Sequence, residues 1–233
     1  MGEMASPRRG SWWVPVVLGA LFFATAVVGV FDPTEDAVNP YNYLELYAEM
    51  PIPETIDNLV KLFLGVFGIW TIITIEFAFP GRSTLRSLQS PTHLFTAVIG
   101  IVGFLLFSIS RIQLLEIIPD LAHYYFADGG QHSDSSAIAS SIVELDRDGW
   151  FLFGGNSVWV IFFCVEQLHR RHLSPLMSIA GLLLGAGLAA MLIVLLLDAG
   201  FWATVVSMIT IAAIAPFWFI GMGIVVRRRY RES

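Results

Sequence analysis

Charged residues are scarce in this 233-residue chain, at 14% of the sequence compared with roughly 25% in an ordinary soluble domain. Apolar residues make up 56%, and the mean hydropathy is +0.71. The single cysteine, Cys164, excludes an intramolecular disulfide and a metal site built from several cysteines. The sequence contains no nucleotide-binding motif and no basic footprint typical of nucleic-acid binding. We therefore expect an integral membrane protein with no cofactor, with the lipid bilayer as its main partner and no nucleic acid.

Six apolar runs, bounded by charges, proline or glycine, are long enough to cross about 30 Å of hydrocarbon as helices. They cover 12–31, 58–79, 92–118, 149–168, 174–197 and 201–226. The runs are continuously apolar and do not alternate as the strands of a membrane β-barrel do. The sequence predicts an all-α, polytopic six-transmembrane-helix bundle that forms a single membrane domain over residues 1–233. The outer loops of this bundle are 32–57 and 119–148.

The distribution of arginine predicts which side of the membrane each segment faces. With the N-terminus inside, the cytoplasmic segments hold ten of the thirteen basic residues. The two long loops on the other side hold many acids and, of the basic residues, only Arg147. This asymmetry follows the positive-inside rule. It predicts a multi-pass protein of a prokaryotic inner (plasma) membrane, with both termini in the cytoplasm.

Charged residues inside apolar runs are the first candidates for a functional site. Lys61 and Arg111 lie at similar depth on two helices that we expect to be antiparallel neighbours. We expect both cations to face inward and to bind Glu116, an acidic loop residue or an anionic ligand. Asn156 in the fourth run favours an interhelical hydrogen bond, and it is a further polar contact if the protein is a carrier.

Small residues form stripes on three of the predicted helices. One stripe contains Gly65 and Gly68, a second Gly100 and Gly103, and the third a G-x-x-x-G pattern that starts at Gly181. Such stripes allow close helix packing in membranes. We expect packing surfaces more than a substrate path, and the same faces are candidates for homo- or hetero-oligomer contacts.

Metal ligation has only weak support in the sequence. His123, Asp128 and His132 lie in the second outer loop without a spacing typical of zinc sites. The predicted metal content is therefore none, with these three residues as weak candidates. Catalytic residues are also not predicted, because no serine, cysteine or carboxylate has an evident partner base.

Two further segments carry structural expectations. Segment 40–50 is either an interfacial helix that presents Leu44 and Tyr47 to the membrane surface, or an irregular loop. Pro216 lies near the middle of the last run and should kink that helix.

The layout of the runs, together with three short motifs, resembles a known group of prokaryotic proteins. The motifs are Asp148-Gly149-Trp150 before the fourth helix, Leu173-Ser174-Pro175 before the fifth, and Ala215 to Gly221 in the sixth. The chain looks most like the six-helix membrane proteins of the domain of unknown function 4386 type. That group has no assigned activity, so the resemblance implies the six-helix layout and no functional residue.

Three functions from different classes remain after this reading. The first is a non-enzymatic membrane protein with a packing, sensing or accessory role. The second is a small-solute carrier or ligand-binding protein that uses an outer-leaflet polar cluster of Lys61, Arg111 and Glu116, with Asn156 deeper in the bundle. The third is an enzyme at the outer surface that uses the loop residues His123, Asp128 and His132.

Overall fold

The computed structural model describes residues 11–29, 44, 47–79, 91–127, 149–197 and 199–232. Within these ranges the chain forms seven α-helices, one π-helical segment and no strand. The helices are α1 Trp13–Gly29, α2 Pro51–Ala78, α3 Pro91–Ala127, α4 Trp150–His169, α5 Pro175–Leu196, α6 Gly200–Ser207 and α7 Ala215–Glu232, and the π-helical segment Met208–Ile214 joins the last two. The predicted all-helical fold is thus confirmed for the described residues.

Five helices are long and apolar enough to cross a membrane. They are Pro51–Ala78, Leu94–His123 within α3, Trp150–His169, Pro175–Leu196 and the continuous stretch Gly200–Arg231. The first apolar helix, α1, has 17 described residues, which correspond to about 25 Å of helix. Its predicted run continues to residue 31, and residues 30 and 31 lie outside the described part.

Two helices extend well beyond the predicted spans into segments expected to be loops. Helix α2 begins at Pro51, seven residues before the predicted start, with proline in its first turn, where no amide hydrogen is needed. Helix α3 continues through Pro119 to Ala127. Hydropathy alone locates the apolar middle of a helix, and therefore it missed these polar ends.

The order of packing follows the order of the chain. Helix α2 packs against α3, α3 against α4, and α4 against α5, while α7 closes the bundle by packing on α1. Helix α1 also contacts α2, and α5 contacts α6, the π-helical segment and α7. The two helices that carry Lys61 and Arg111 are thus neighbours, as expected.

The small-residue stripes lie inside these interfaces. A Cβ atom added at Gly65 would lie 2.9 Å from the carbonyl oxygen of Phe104 and would collide with the Ser108 hydroxyl. At Gly103 the added atom would lie 2.5 Å from the carbonyl oxygen of Phe151. These glycines therefore hold helices of one chain together, and a second copy of the chain would have to use other surfaces.

Aromatic residues fill the interior on the side of the bundle where α2 ends and α3 begins. The Trp159 and Trp218 rings, both fully buried, meet edge to face with centroids 6.2 Å apart. Phe163 packs edge to face on both Trp218 and Phe79. Such ring pairs add stabilisation beyond area burial, so this cluster ties α2, α4 and α7 together.

The last of the five candidate membrane spans, Gly200–Arg231, changes its helical geometry just before Pro216. The amide of Ala215 donates to the carbonyl oxygen of Thr210, which is the five-residue spacing of a π-helix. Thr210 is buried, and a Cβ added at Gly187 on α5 would collide with its hydroxyl. The structure thus places a π-helical turn where the sequence predicts a proline kink.

Candidate functional site

The strongest polar cluster lies between α2 and α3, at the end of the bundle where α2 begins. On α2, Glu54, Asp57, Asn58 and Lys61 follow one another at spacings of three, one and three residues. These spacings place the four side chains along one helix face. The same face continues to Gly65, which contacts α3 at Ser108, and so the cluster is directed at α3.

Asn58 connects an acid on α2 to the arginine on α3. Its side-chain nitrogen Nδ2 donates to Glu54 Oε1 at 2.5 Å, and its oxygen Oδ1 accepts from Arg111 Nη1 at 3.3 Å. Nδ2 also lies 3.1 Å from the backbone oxygen of Glu54. The guanidinium of Arg111 lies 4.8 Å from the centre of the Phe107 ring, one turn earlier on α3. The neutral amide of Asn58 thus links the Glu54 carboxylate to the Arg111 guanidinium.

The second cation is paired within α2. Lys61 Nζ lies 2.5 Å from Asp57 Oδ2, one helical turn away. The Asp57 side chain is 2% exposed and that of Lys61 16%. The carboxylate is therefore well shielded, while the lysine retains some access to its surroundings.

Because this cluster is buried, its charge balance determines whether it stabilises or destabilises the fold. Glu54, Asp57, Asn58 and Arg111 all belong to the buried residues. A buried charge is strongly unfavourable unless an opposite charge or good hydrogen bonds compensate it. Two acids and two cations give a formal sum of zero, and so the cluster balances its own charge.

Two other residues singled out in the sequence lie away from this cluster: Glu116, expected as a partner of the cations, and Asn156, expected as a polar contact deeper in the bundle. Glu116 is exposed, and on an ideal helix it lies about 140° around α3 from Arg111. Asn156 lies close to Gly103, and Gly103 is eight residues, or about 12 Å, along α3 from Arg111. Neither residue joins the cluster.

The partners that the sequence reading missed are Glu54 and Asn58. Both lay in or at the edge of the predicted outer loop, and Asp57 was counted there only as a loop acid. A usable signal was present: Pro51 as a helix start, followed by polar residues at three- and four-residue intervals that lead into the Gly65 stripe. The expected pairing of a cation with a loop acid holds for Lys61 and Asp57.

A small apolar cap covers the extension of α3 beyond Arg111. Leu44 and Tyr47 are buried in one cluster with residues of that extension: Leu114, Ile118, Leu121 and Ala122. The helical residues 47–49 precede α2 closely. The cap differs from the expected interfacial helix, because Leu44 and Tyr47 face the protein and are not presented to the membrane surface.

Two more carboxylates within the spans have partners. Glu76 Oε1 accepts a hydrogen bond of 3.0 Å from the indole Nε1 of Trp159, which links α2 to α4. Glu166 pairs with Arg170 one turn later at 2.7 Å. The latter pair has the i,i+4 spacing at which side chains meet on one helix face.

Asn156 lines a small cavity in the middle of the bundle. Its Nδ2 donates to the backbone oxygen of Leu152 at 2.8 Å, while its buried Oδ1 has no hydrogen-bond partner. The cavity volume is about 10 Å³, about what a single water molecule requires. The other lining residues are apolar: Phe22, Phe104, Leu152, Phe153, Val160, Leu188 and Phe219. The site is too small for an organic solute in this conformation.

The loop candidates for metal binding do not form a described site. His123 is exposed on the extension of α3, and Asp128 and His132 lie outside the described residues. Among the residues that the structure does describe, no group of three or more His, Cys, Asp or Glu side chains is placed to hold a metal ion.

The C-terminal end of α7 contacts the turn between α4 and α5. Arg229 Nη2 donates to the backbone oxygen of His172 at 2.6 Å. Burial first, and then the positive charges of Arg229 and Arg170, lower the pKa of His172 below its usual value, against an opposing effect of Glu166. Folding therefore disfavours protonation of the His172 imidazole relative to the unfolded chain.

Comparison with known proteins adds no family to these observations. No protein-family model, no curated protein and no solved structure matches the chain. The interpretation of the site therefore depends on the geometry described above.

Proposed function

We propose that this chain is a non-enzymatic, multi-pass protein of a prokaryotic plasma membrane that serves as an accessory or sensing component. Its termini lie in the cytoplasm, in keeping with the arginine distribution, and its six-helix layout is that of the group with domain of unknown function 4386. The lipid-facing surface is extensive, because large apolar side chains are exposed on all the long helices. In water such a surface would lead to aggregation.

One observation carries the choice of a non-transporting role. The cations expected to bind a ligand, Lys61 and Arg111, are engaged by Asp57 and Asn58 of the same chain. A carrier needs polar groups that change partners when the solute arrives, whereas Arg111 and Asn58 join α3 to α2 and Lys61 is paired with Asp57 within α2. The cluster therefore acts as a polar clasp, a name we use below for Glu54, Asn58 and Arg111 together with the pair Asp57 and Lys61.

A small-solute carrier is the second candidate, and two observations favour it. The Asn156 oxygen has no hydrogen-bond partner, and the cavity it lines lies where α1, α3, α4, α5 and α7 meet. The π-helical segment that ends before Pro216 is a type of feature often found at functional sites. In a carrier these features would line a path that opens to water for part of the cycle.

Cysteine reactivity separates the two proposals, because the only native thiol is buried. Cys164 is fully buried and supplies the baseline for an inaccessible site. Asn156→Cys in a Cys164→Ala background is treated with a small water-soluble maleimide in reconstituted vesicles. His123→Cys in the same background is the accessible control, since His123 is exposed.

The accessory role predicts that Asn156→Cys reacts as slowly as native Cys164. Labelling of Asn156→Cys at a rate within about tenfold of that of His123→Cys would replace the accessory role with the carrier.

The orientation of the chain in the membrane is tested in the same Cys164→Ala background with Ser233→Cys and Ser135→Cys. An impermeant maleimide added outside intact spheroplasts should label Ser135→Cys and leave Ser233→Cys unlabelled, and the reverse pattern would refute the proposed topology.

A further inference from the structure

One face of α7 changes from apolar to basic at the point where the helix leaves the predicted span. Phe217, Ile220 and Ile224 are exposed on this face. Arg227, Arg228 and Arg231 follow and are exposed as well. At about 100° per residue, all six side chains lie within roughly 100° of arc. We call this surface the α7 stripe.

The rotation of α7 is fixed by contacts on its other faces. Arg229 donates to the carbonyl oxygen of His172 and lies 4.4 Å from the centre of the Phe79 ring. A Cβ added at Gly223 would lie 2.9 Å from the carbonyl oxygen of Trp12, which shows how closely α7 approaches the start of α1. The α7 stripe therefore has a defined direction and is not an arbitrary face of a frayed helix end.

One arginine of the stripe is also held in place. The guanidinium of Arg227 lies 4.6 Å from the centre of the Trp12 ring. Stacking on an aromatic ring leaves the edge donors of a guanidinium available, and these donors match the geometry of a phosphate group. Tryptophan itself prefers the headgroup level of a bilayer. The ring and the arginines thus mark the depth at which lipid phosphates lie.

The dimensions of the stripe match a phospholipid. Phe217 to Ile224 spans about 10 Å along the helix, which suits part of an acyl chain, and Arg228 follows Ile224 by about 6 Å. Neither of the ion pairs Lys61–Asp57 and Arg170–Glu166 involves Arg227, Arg228 or Arg231. Three positive charges beyond an apolar strip favour an anionic headgroup over a zwitterionic one.

We propose that the α7 stripe binds one anionic phospholipid. Its phosphate contacts Arg227, Arg228 and Arg231, and one acyl chain lies along Phe217, Ile220 and Ile224. This inference goes beyond the proposed function, and it requires only that the protein resides in a bilayer. The site would make the stability or assembly of the protein responsive to the anionic lipid content of its membrane.

Native mass spectrometry of the full chain in mild detergent tests the proposal. Phosphatidylglycerol and phosphatidylcholine with identical acyl chains are titrated separately, and the affinity of the first bound lipid is measured. The wild-type chain should prefer phosphatidylglycerol. The double variant R228Q/R231Q should bind it about tenfold or more weakly, since each arginine near a membrane surface contributes about a fivefold factor. Its affinity for phosphatidylcholine should stay unchanged.

The matched control is R170Q/R171Q, which removes the same number of arginines from the nearby turn between α4 and α5. Both residues are exposed, and the control should keep the wild-type preference for phosphatidylglycerol. An equal loss in both double variants would overturn the proposal in favour of diffuse attraction. Equal wild-type affinity for the two lipids would also overturn it.

The apolar part of the stripe is tested with Ile224→Ser, and the source of the phosphate with glycerol phosphate. Ile224→Ser should weaken binding of long-chain phosphatidylglycerol severalfold while the protein keeps its thermal stability. Millimolar glycerol phosphate should not displace the lipid. Displacement, or an unchanged affinity in Ile224→Ser, would show a free-phosphate site without a seat for the acyl chain and would contradict the proposal.

Discussion

Replacement of Arg111 by glutamine should destabilise the protein strongly, because Arg111 connects α3 to the polar clasp. Its side chain donates to Asn58 and lies over the Phe107 ring. A hydrogen bond from a charged group contributes about 1.5–3 kcal/mol, and a cation–π contact about 0.5–2 kcal/mol. Removal of one partner from a buried charged set typically costs about 3–5 kcal/mol. We therefore expect a loss of roughly 3 kcal/mol in the free energy of unfolding.

The assay is equilibrium unfolding of purified protein in mixed micelles, followed by tryptophan fluorescence. Glu116→Gln is the matched control, since this exposed carboxylate lies on the same helix five residues later and should leave the unfolding midpoint unchanged. Replacement of Glu54, Asn58 and Arg111 together by leucine should recover much of the loss, because no buried charge of this group is then left uncompensated. An Arg111→Gln variant as stable as Glu116→Gln would show that Arg111 does not stabilise the contact between α2 and α3.

Three further predictions concern a glycine contact, an interhelical hydrogen bond and a histidine. Gly65→Ala should cost about 1–3 kcal/mol, because the new methyl group meets α3 backbone, while Gly200→Ala, with open space around it, should not destabilise the protein in the same unfolding assay. Ser157→Ala should cost about 0.6 kcal/mol, since it removes a 2.9 Å bond from α4 to α5, and a loss above 2 kcal/mol would contradict this. The lowered pKa of His172 means that stability present above about pH 6.5 is lost as the pH falls further. Melting temperatures between pH 7.5 and 5 should fall less in His172→Gln than in the wild type, and equal slopes would count against the assigned cause.

Hydropathy was sufficient to predict where the long helices lie, but it did not predict where they begin and end. The apolar middles of α2 and α3 are obvious in the sequence, whereas Pro51 to Asp57 and Pro119 to Ala127 are helical although they carry polar residues or proline. Contacts between segments support such turns: Leu121 and Ala122 of the α3 extension, for example, are buried in one cluster with Leu44 and Tyr47. Single-sequence patterns do not contain such contacts.

The position of the candidate site could be predicted from the sequence, but the residues that surround Lys61 and Arg111 could not. A charged residue in each of two adjacent helices suffices to predict that Lys61 and Arg111 lie at one depth. Which acids meet them depends on the helix start at Pro51, because about two turns of additional helix bring Glu54 and Asp57 onto the inward face. Glu116 failed as a partner because rotation around α3 separates it from Arg111.

The glycine stripes serve the simpler of the expected roles, which is close packing between helices. Gly65, Gly103 and Gly181 each face a neighbouring helix so closely that an added Cβ would meet backbone or a buried side chain. Packing in membranes depends on such close approach. The same residues offered as contacts for oligomers or as the lining of a path are already covered within one chain.

A double-mutant cycle between Asn58 and Arg111 measures whether the polar clasp holds α2 and α3 together. Asn58→Leu, Arg111→Leu and the double variant are compared with the wild type by their free energies of unfolding. We expect a coupling energy of about 1 kcal/mol or more, because the two side chains bond directly across the interface of α2 and α3. Additive effects within about 0.5 kcal/mol would show that the two residues act independently, and the clasp would then not exist.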